Sequence, residues 1–244
     1  MIKNFILSPD DIIYQIKLSC QLPDIIEAIM IRKIIADAAA QAGIKVEKSE
    51  LQQAADDIRL ARNLVKAKDT GAWLEKHYLS LNDFKELAEI YLLSVKLANY
   101  LFAEQVEPFF IEHRLNYTAT VTYEVVLDDQ DLALELFYAL QKNEICFQDI
   151  AHKYIQEPEL RRVGGYCGIR YRSNFSPQIA ACVFTAHPPQ ILKPIVTHKG
   201  VHLIWVEEII QPQLNEPLRC QILADLLSAW LKQQLEEAKI VVQI

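Results

Sequence analysis

The stretch Gly164-Gly-Tyr-Cys-Gly168, together with Pro194-Ile-Val-Thr-His-Lys-Gly-Val-His-Leu-Ile-Trp-Val206, decides how this chain folds. Adjacent glycines mark a sharp backbone turn where a side chain would obstruct the path. Pro194–Thr197 and Val201–Val206 read as paired strands about the tight turn His198-Lys199-Gly200. Working backwards, Val121, Tyr123, Val125 and Leu127 alternate with Thr120, Thr122, Glu124 and Val126, which is strand periodicity. Asp128 or Asp129 is placed to cap a helix whose Leu132, Ala133, Leu136, Phe137 and Leu140 share a face. A short helix carrying Phe147, Ile150, Ala151 and Tyr154 comes next, then a loop with Pro158. Beyond the glycines come a short strand and a helix over Ile179–Phe184. The order β-α-α-β-α-β-β predicts an α+β domain.

Outward from that centre the period becomes helical. Pro23–Ala42 is apolar around most of its circumference and stops at Gly43. Ser49-Glu-Leu-Gln52 reads as a capping box, with Leu51, Ala55, Ile58 and Val65 near one face. A third helix starts near Asn82 and repeats Phe84, Leu87, Ala88, Tyr91, Val95, Ala98 and Phe102 at 3–4 spacing. In the tail, Leu218, Ile222, Leu226 and Trp230 form a stripe that must dock on something, since an isolated helix is marginal in water. Lys239–Ile244 reads as a short final strand.

The bulk numbers narrow the function classes. A formal charge of −7 and a pI near 5.4 argue against a generic nucleic-acid or anionic-membrane binder, which needs a basic surface. No stretch reaches the length of a membrane span, so no membrane insertion is expected. The N-terminal decapeptide lacks the long apolar region and small-residue cleavage site of a secretory signal. Cys20, Cys146, Cys167, Cys182 and Cys220 are scattered, odd in number and without CxxC spacing, so free thiols in a reducing cytoplasm are expected.

Five pieces in order carry a family resemblance: Phe147-Gln-Asp-Ile-Ala151, Gly164-Gly-Tyr-Cys-Gly168, Arg170 or Arg172, Ala180-Ala-Cys-Val-Phe184, and Pro194-Ile-Val-Thr-His-Lys-Gly-Val-His202. They resemble the parvulin (PpiC, rotamase) type of peptidyl-prolyl cis-trans isomerase domain. The flanks Ile25–Leu64 and Trp230–Ile240 look like the helical region of SurA- and PrsA-like folding factors. The resemblance implies an α+β fold with a parvulin-like four-stranded antiparallel sheet, plus an all-α SurA-like domain built from both chain ends. It divides the chain into 1–117, 118–211 and a returning helix over 212–244. It implies an isomerase that assists folding or maturation of unfolded or precursor polypeptides with X-Pro bonds, using no cofactor and no metal.

Amide resonance sets a barrier of about 18–20 kcal/mol to rotation about a peptide bond. A catalyst need break no covalent bond; it holds the proline in an apolar slot, strips water from the carbonyl and favours the twisted amide. By family position the slot is lined by Cys167 (usually Leu), Phe175 (usually Met), Ile179 (usually Phe) and Phe184; the alternative for each is ordinary core, most of all for Phe184. The polar centre comprises His202 and Thr197. Glu124 stands where the family carries a first-strand histidine, and Glu157 (Gln156 after a one-residue slip) where it carries Asp or Cys. Two glutamates near a carbonyl predict weak isomerase activity, with Glu124 placed to orient His202 as hydrogen-bond acceptor. The alternative is a holdase chaperone or peptide-binding module with a degenerate domain; a third reading is an unrelated α+β binding protein.

Other candidates carry less. His198 and His202 are four apart, but on a turn and a strand, which is poor metal geometry; His152 and His187 lack companion ligands. Cys167 and Cys182 read as structural thiols. Arg161 and Arg162 form an anion site or solvated charges. Asp128-Asp-Gln-Asp131, after the first strand, would repel phosphate.

Overall fold

Antiparallel pairing is organised around two long strands, β1 (Ala119–Leu127) and β5 (Gly200–Ile210), in a computed structural model that describes residues 6–239 and 241. β2 (Tyr166–Tyr171) pairs with the free edge of β1. The short β3 (Gln190–Ile191) and β4 (Ile195–Thr197) pair successively with β5, giving the order β2-β1-β5-β3. The expected α+β antiparallel sheet is present; β3, only two residues long, gives no periodic signal in the sequence and is an addition to the expected strands.

Alternation along the strands sorts the two faces. Val125 and Leu127 of β1, with Val201 and Leu203 of β5, bury against α8 (Gln130–Gln141) and α9 (Phe147–Tyr154). On the opposite face Ile204 and Val206 pack with Ile179 and Val183 of α11 (Pro177–Val183). The helix α8 starts at Asp129, whose carboxylate accepts the amides of Asp131 at 2.8 Å and Leu132 at 3.2 Å. Pro158 lies in the first turn of a short helix, α10 (Pro158–Arg162), rather than in a loop; proline is favoured there because no amide hydrogen is needed.

The chain divides into two compact units, one of residues 107–215 and the other of the described residues up to Val106 together with those from Glu216 onward. The second unit is helical: α1 (Pro9–Leu18), α2 (Leu22–Gln41), α3 (Lys48–Ala61), α4 (Ala67–Lys76), α5 (Leu81–Phe102) and α12 (Glu216–Glu237). The boundary falls in α6 (Val106–Glu112), ahead of the single-turn α7 (Arg114–Tyr117). α12 packs on α2 and α5. Its buried side chains are Ile222, Leu223, Leu227 and Leu231, so the docking stripe is rotated from the expected Leu226 and Trp230, both of which are half-buried. The capping box of α3 also shifts: Glu47 is the N-cap and Glu50 accepts its amide at 2.9 Å, because Ser49 already lies in the first turn. On α5, Phe84, Ala88 and Ala98 are buried as expected, but Tyr91 is 48% and Val95 40% exposed. Val65, expected on the face of α3, lies beyond its end and is 70% exposed. The expected strand over 239–244 falls mostly outside the described residues; Lys239 and Val241 are not in a strand.

Candidate active site

Glu124 and His202 lie on the α11 side of the sheet. In the β1–β5 ladder Glu124 faces Ile204 and His202 faces Val126, so the two are diagonal neighbours within reach of their side chains. His202 Nδ1 meets Glu124 Oε1 at 2.6 Å. On its other side His202 Nε2 lies 2.8 Å from Thr197 Oγ1. β4 supplies this threonine: Ile195 pairs with His202 and Thr197 with Gly200, which sets Thr197 diagonal to the histidine. The Thr197 hydroxyl oxygen also accepts the Lys199 amide at 3.1 Å, within the turn that Gly200 makes possible at φ +128°.

The far end of the chain of hydrogen bonds is a cation. Arg170 Nη1 donates to Glu124 Oε2 at 2.9 Å, and its Nη2 to the Asn174 carbonyl at 3.2 Å. The guanidinium also sits 4.1 Å from the centre of the Phe175 ring. Burial pushes the Glu124 carboxyl up, but the hydrogen bonds and charges of His202 and Arg170 outweigh it and hold the group below its ordinary value. An ionised carboxylate only accepts, so the Nδ1 proton of His202 points to Glu124. Nε2 then accepts from Thr197 when the ring is neutral and donates to it when the ring is charged. Cys167 lies half-buried at 4.0 Å from Glu124 Oε2, its thiol pushed up by burial and next by the Glu124 charge.

Of the expected slot residues, Phe175 and Phe184 meet edge-to-face at 5.9 Å between ring centres and are both half-buried, as is Cys167. Ile179 is 6% exposed and sits in the core beneath them, supporting the wall from behind. The expected order of burial is thus reversed: Ile179 is core, and Phe184 is half-buried, packed against it. Glu157 stays apart from this group. It is exposed as the N-cap of α10, and no contact joins its side chain to Glu124, Thr197 or His202 among the described residues. Nor does Glu124 carry free negative charge into the site, because Arg170 balances it. The motif alone does not single out Arg170 for this role. The available signal is that a carboxylate on a strand's buried face needs a cation, and the Gly164-Gly165 turn folds β2 back along β1 to deliver one. His198 is exposed on its turn, while His202 is 5% exposed beside Glu124.

Residues 127–208 match the Rotamase family, described as a PPIC-type PPIASE domain. The chain carries a PpiC/parvulin-type rotamase domain. Over 127 residues it is 30% identical to a "Probable parvulin-type peptidyl-prolyl cis-trans isomerase" of Bordetella bronchiseptica, covering 48% of each protein. It is 21% identical over 193 residues to a "Foldase protein PrsA" of Caldanaerobacter subterraneus, covering 79% of this chain and 59% of that one. The fold is similar to that of the peptidylprolyl isomerase PrsA of Bacillus cereus, with TM-score 0.52 at 15% identity, over 98% of this chain and 90% of that one. The chain spans about half the length of the Bordetella relatives it matches.

Proposed function

We propose that the chain is a parvulin-type peptidyl-prolyl isomerase that assists folding of polypeptides containing X-Pro bonds. The observation that carries this reading is the unbroken sequence Arg170–Glu124–His202–Thr197 beside the half-buried rings of Phe175 and Phe184. The rings offer an apolar seat for the prolyl ring. The polar chain presents an oriented imidazole and hydroxyl whose hydrogen bonds are already made, so little reorganisation is needed as the amide twists. Nothing covalent forms, and the gain comes from binding the twisted amide better than either planar form. Its charge is internally balanced, which removes the reason for expecting weak catalysis from two acids near the carbonyl.

A protease-coupled assay on a proline tetrapeptide tests this reading: the protein should accelerate the slow phase, and Phe175→Ala should raise KM by emptying the seat. Unphosphorylated peptides are the expected substrates, with Asp128, Asp129 and Asp131 exposed after β1; tighter binding of a phosphoserine-proline peptide would count against it. Five free cysteines, four of them exposed, support a reducing cytoplasmic setting, and the net charge of −7 supports a polypeptide rather than a nucleic acid as partner.

A second reading, a holdase whose rotamase domain contributes only a peptide groove, draws support from the helical unit. Ile12, Tyr14 and Leu18 of α1 are 55%, 64% and 61% exposed, beside a cleft of about 610 Å³ lined by Ile13, Tyr14 and Ile25. Suppression of client aggregation with no acceleration of the tetrapeptide would favour it.

A further inference from the structure

We propose that Arg170 is the positioning residue of this site, occupying one oxygen of Glu124 so that the other is committed to His202 Nδ1, and tying that pair to the wall of the prolyl seat. The proposal rests on the isomerase reading for its catalytic consequence, but its geometry stands alone. Arg170 touches Glu124 Oε2 on β1, the Asn174 carbonyl in the bend after β2 and the face of Phe175, and lies beside the Cys167 thiol. The bend is itself fixed, since Asn174 Oδ1 accepts the Tyr171 amide at 2.7 Å. Shifting Arg170 therefore moves the carboxylate and the aromatic wall together.

The electrostatic logic is specific to this arrangement. Glu124 and His202 side chains are 15% and 6% exposed, so a lone carboxylate there would be poorly solvated. With Arg170 in place the carboxylate has one permanent cation and needs no proton from the imidazole. Without it, Glu124 is left with His202 and the Cys167 thiol 4.0 Å away, and the carboxyl keeps its proton to higher pH. A protonated carboxyl competes with Nδ1 as the donor and so disturbs Nε2, the nitrogen facing Thr197. The charged or titratable groups that face the pair among the described residues are Arg170 and Cys167 on β2. The thiol of Cys167 is held neutral by burial and by the Glu124 charge, leaving Arg170 as the compensating charge.

The test uses the whole 244-residue chain with Arg170→Met, which keeps a long apolar stem over Phe175 and removes the charge. In the wild type, the ¹⁵N resonances of the His202 ring should show one tautomer with the proton on Nδ1, and the Glu124 carboxyl ¹³C resonance should titrate below an ordinary glutamate. Arg170→Met should move the Glu124 titration to higher pH, abolish the single-tautomer pattern and lower kcat/KM about tenfold, mostly in kcat. Arg170→Lys should restore the Glu124 titration. In a Glu124→Gln background, Arg170→Met should change the ring spectrum no further, and this double variant serves if the single one fails to fold. Unchanged Glu124 and His202 spectra in Arg170→Met overturn the proposal. Absence of isomerase activity in the wild type, with the spectral changes present, would instead overturn the isomerase reading alone.

Discussion

Glu124 stands where the resemblance leads one to expect a histidine, and one side chain changes what the neighbours must be. A histidine on β1 would need no counter-ion; a glutamate there needs two donors, and finds them in His202 and Arg170. Its depressed titration contributes stability that is present above the unfolded glutamate value, near pH 4.3, and is lost as pH falls through the folded value. Urea melts should accordingly show Glu124→Gln losing less stability than wild type between neutral pH and acid; parallel curves would contradict this. The same sheet face holds a polar atom with a different fate. Thr122 is fully buried, and its hydroxyl has no hydrogen-bond partner among the described residues. Thr122→Val should raise stability by about 1 kcal/mol in denaturant melts, because an unsatisfied buried hydroxyl costs on that order. At this scale the sequence points to His202, Thr197 and Glu124 through motif position. Arg170 escapes such a reading because its link to Glu124 depends on how far β2 slides along β1, which periodicity does not encode. Glu157 is assigned by alignment alone, and the start of α10 takes it away as an N-cap.

Elements place these residues through a few backbone constraints. Gly165, at φ +82°, lies so close to β1 that a Cβ there would sit 3.0 Å from the Glu124 carbonyl, whose own amide donates to the Gly165 carbonyl at 2.9 Å. Gly165→Ala should cost about 1–3 kcal/mol through strain and that clash, and should lower isomerase activity beyond the loss of folded protein by displacing Glu124. A thermal shift of less than a degree with full activity would show that β2 does not set the site. Long elements with a regular period, β1 and α8, are legible because packing and period agree in them, whereas the period of α5 holds at Phe84, Ala88 and Ala98 and fails at the exposed Tyr91 and Val95. The two-residue β3 and five-residue α10 are not, since neither is long enough to display a period and both are fixed by their neighbours. The stripe of α12 reads one position off: its Leu226 and Leu227, both apolar, satisfy two adjacent faces, and only the docking on α2 and α5 selects Leu227.

At the scale of the whole molecule, the helical unit draws on residues from both ends of the sequence, with α12 buried against α2 and α5. Burying Ile222, Leu223, Leu227 and Leu231 contributes about 1.5–3 kcal/mol each, a sum comparable with the entire stability of a domain. Truncation after Gln211 should therefore expose α2 and α5 and cause aggregation in light scattering, while residues 107–215 alone should melt cooperatively; a truncated chain as soluble and stable as the full one would refute this. On the proposed reading, the Arg170–Glu124–His202–Thr197 chain makes the domain a working isomerase rather than a peptide groove. The most direct measurement is the protease-coupled rate on a proline tetrapeptide for wild type and His202→Ala, with suppression of client aggregation followed in parallel. Clear acceleration by wild type is expected, with its loss in His202→Ala and unchanged aggregation suppression in both. Equal rates in the two proteins, or no acceleration by either, would contradict that reading.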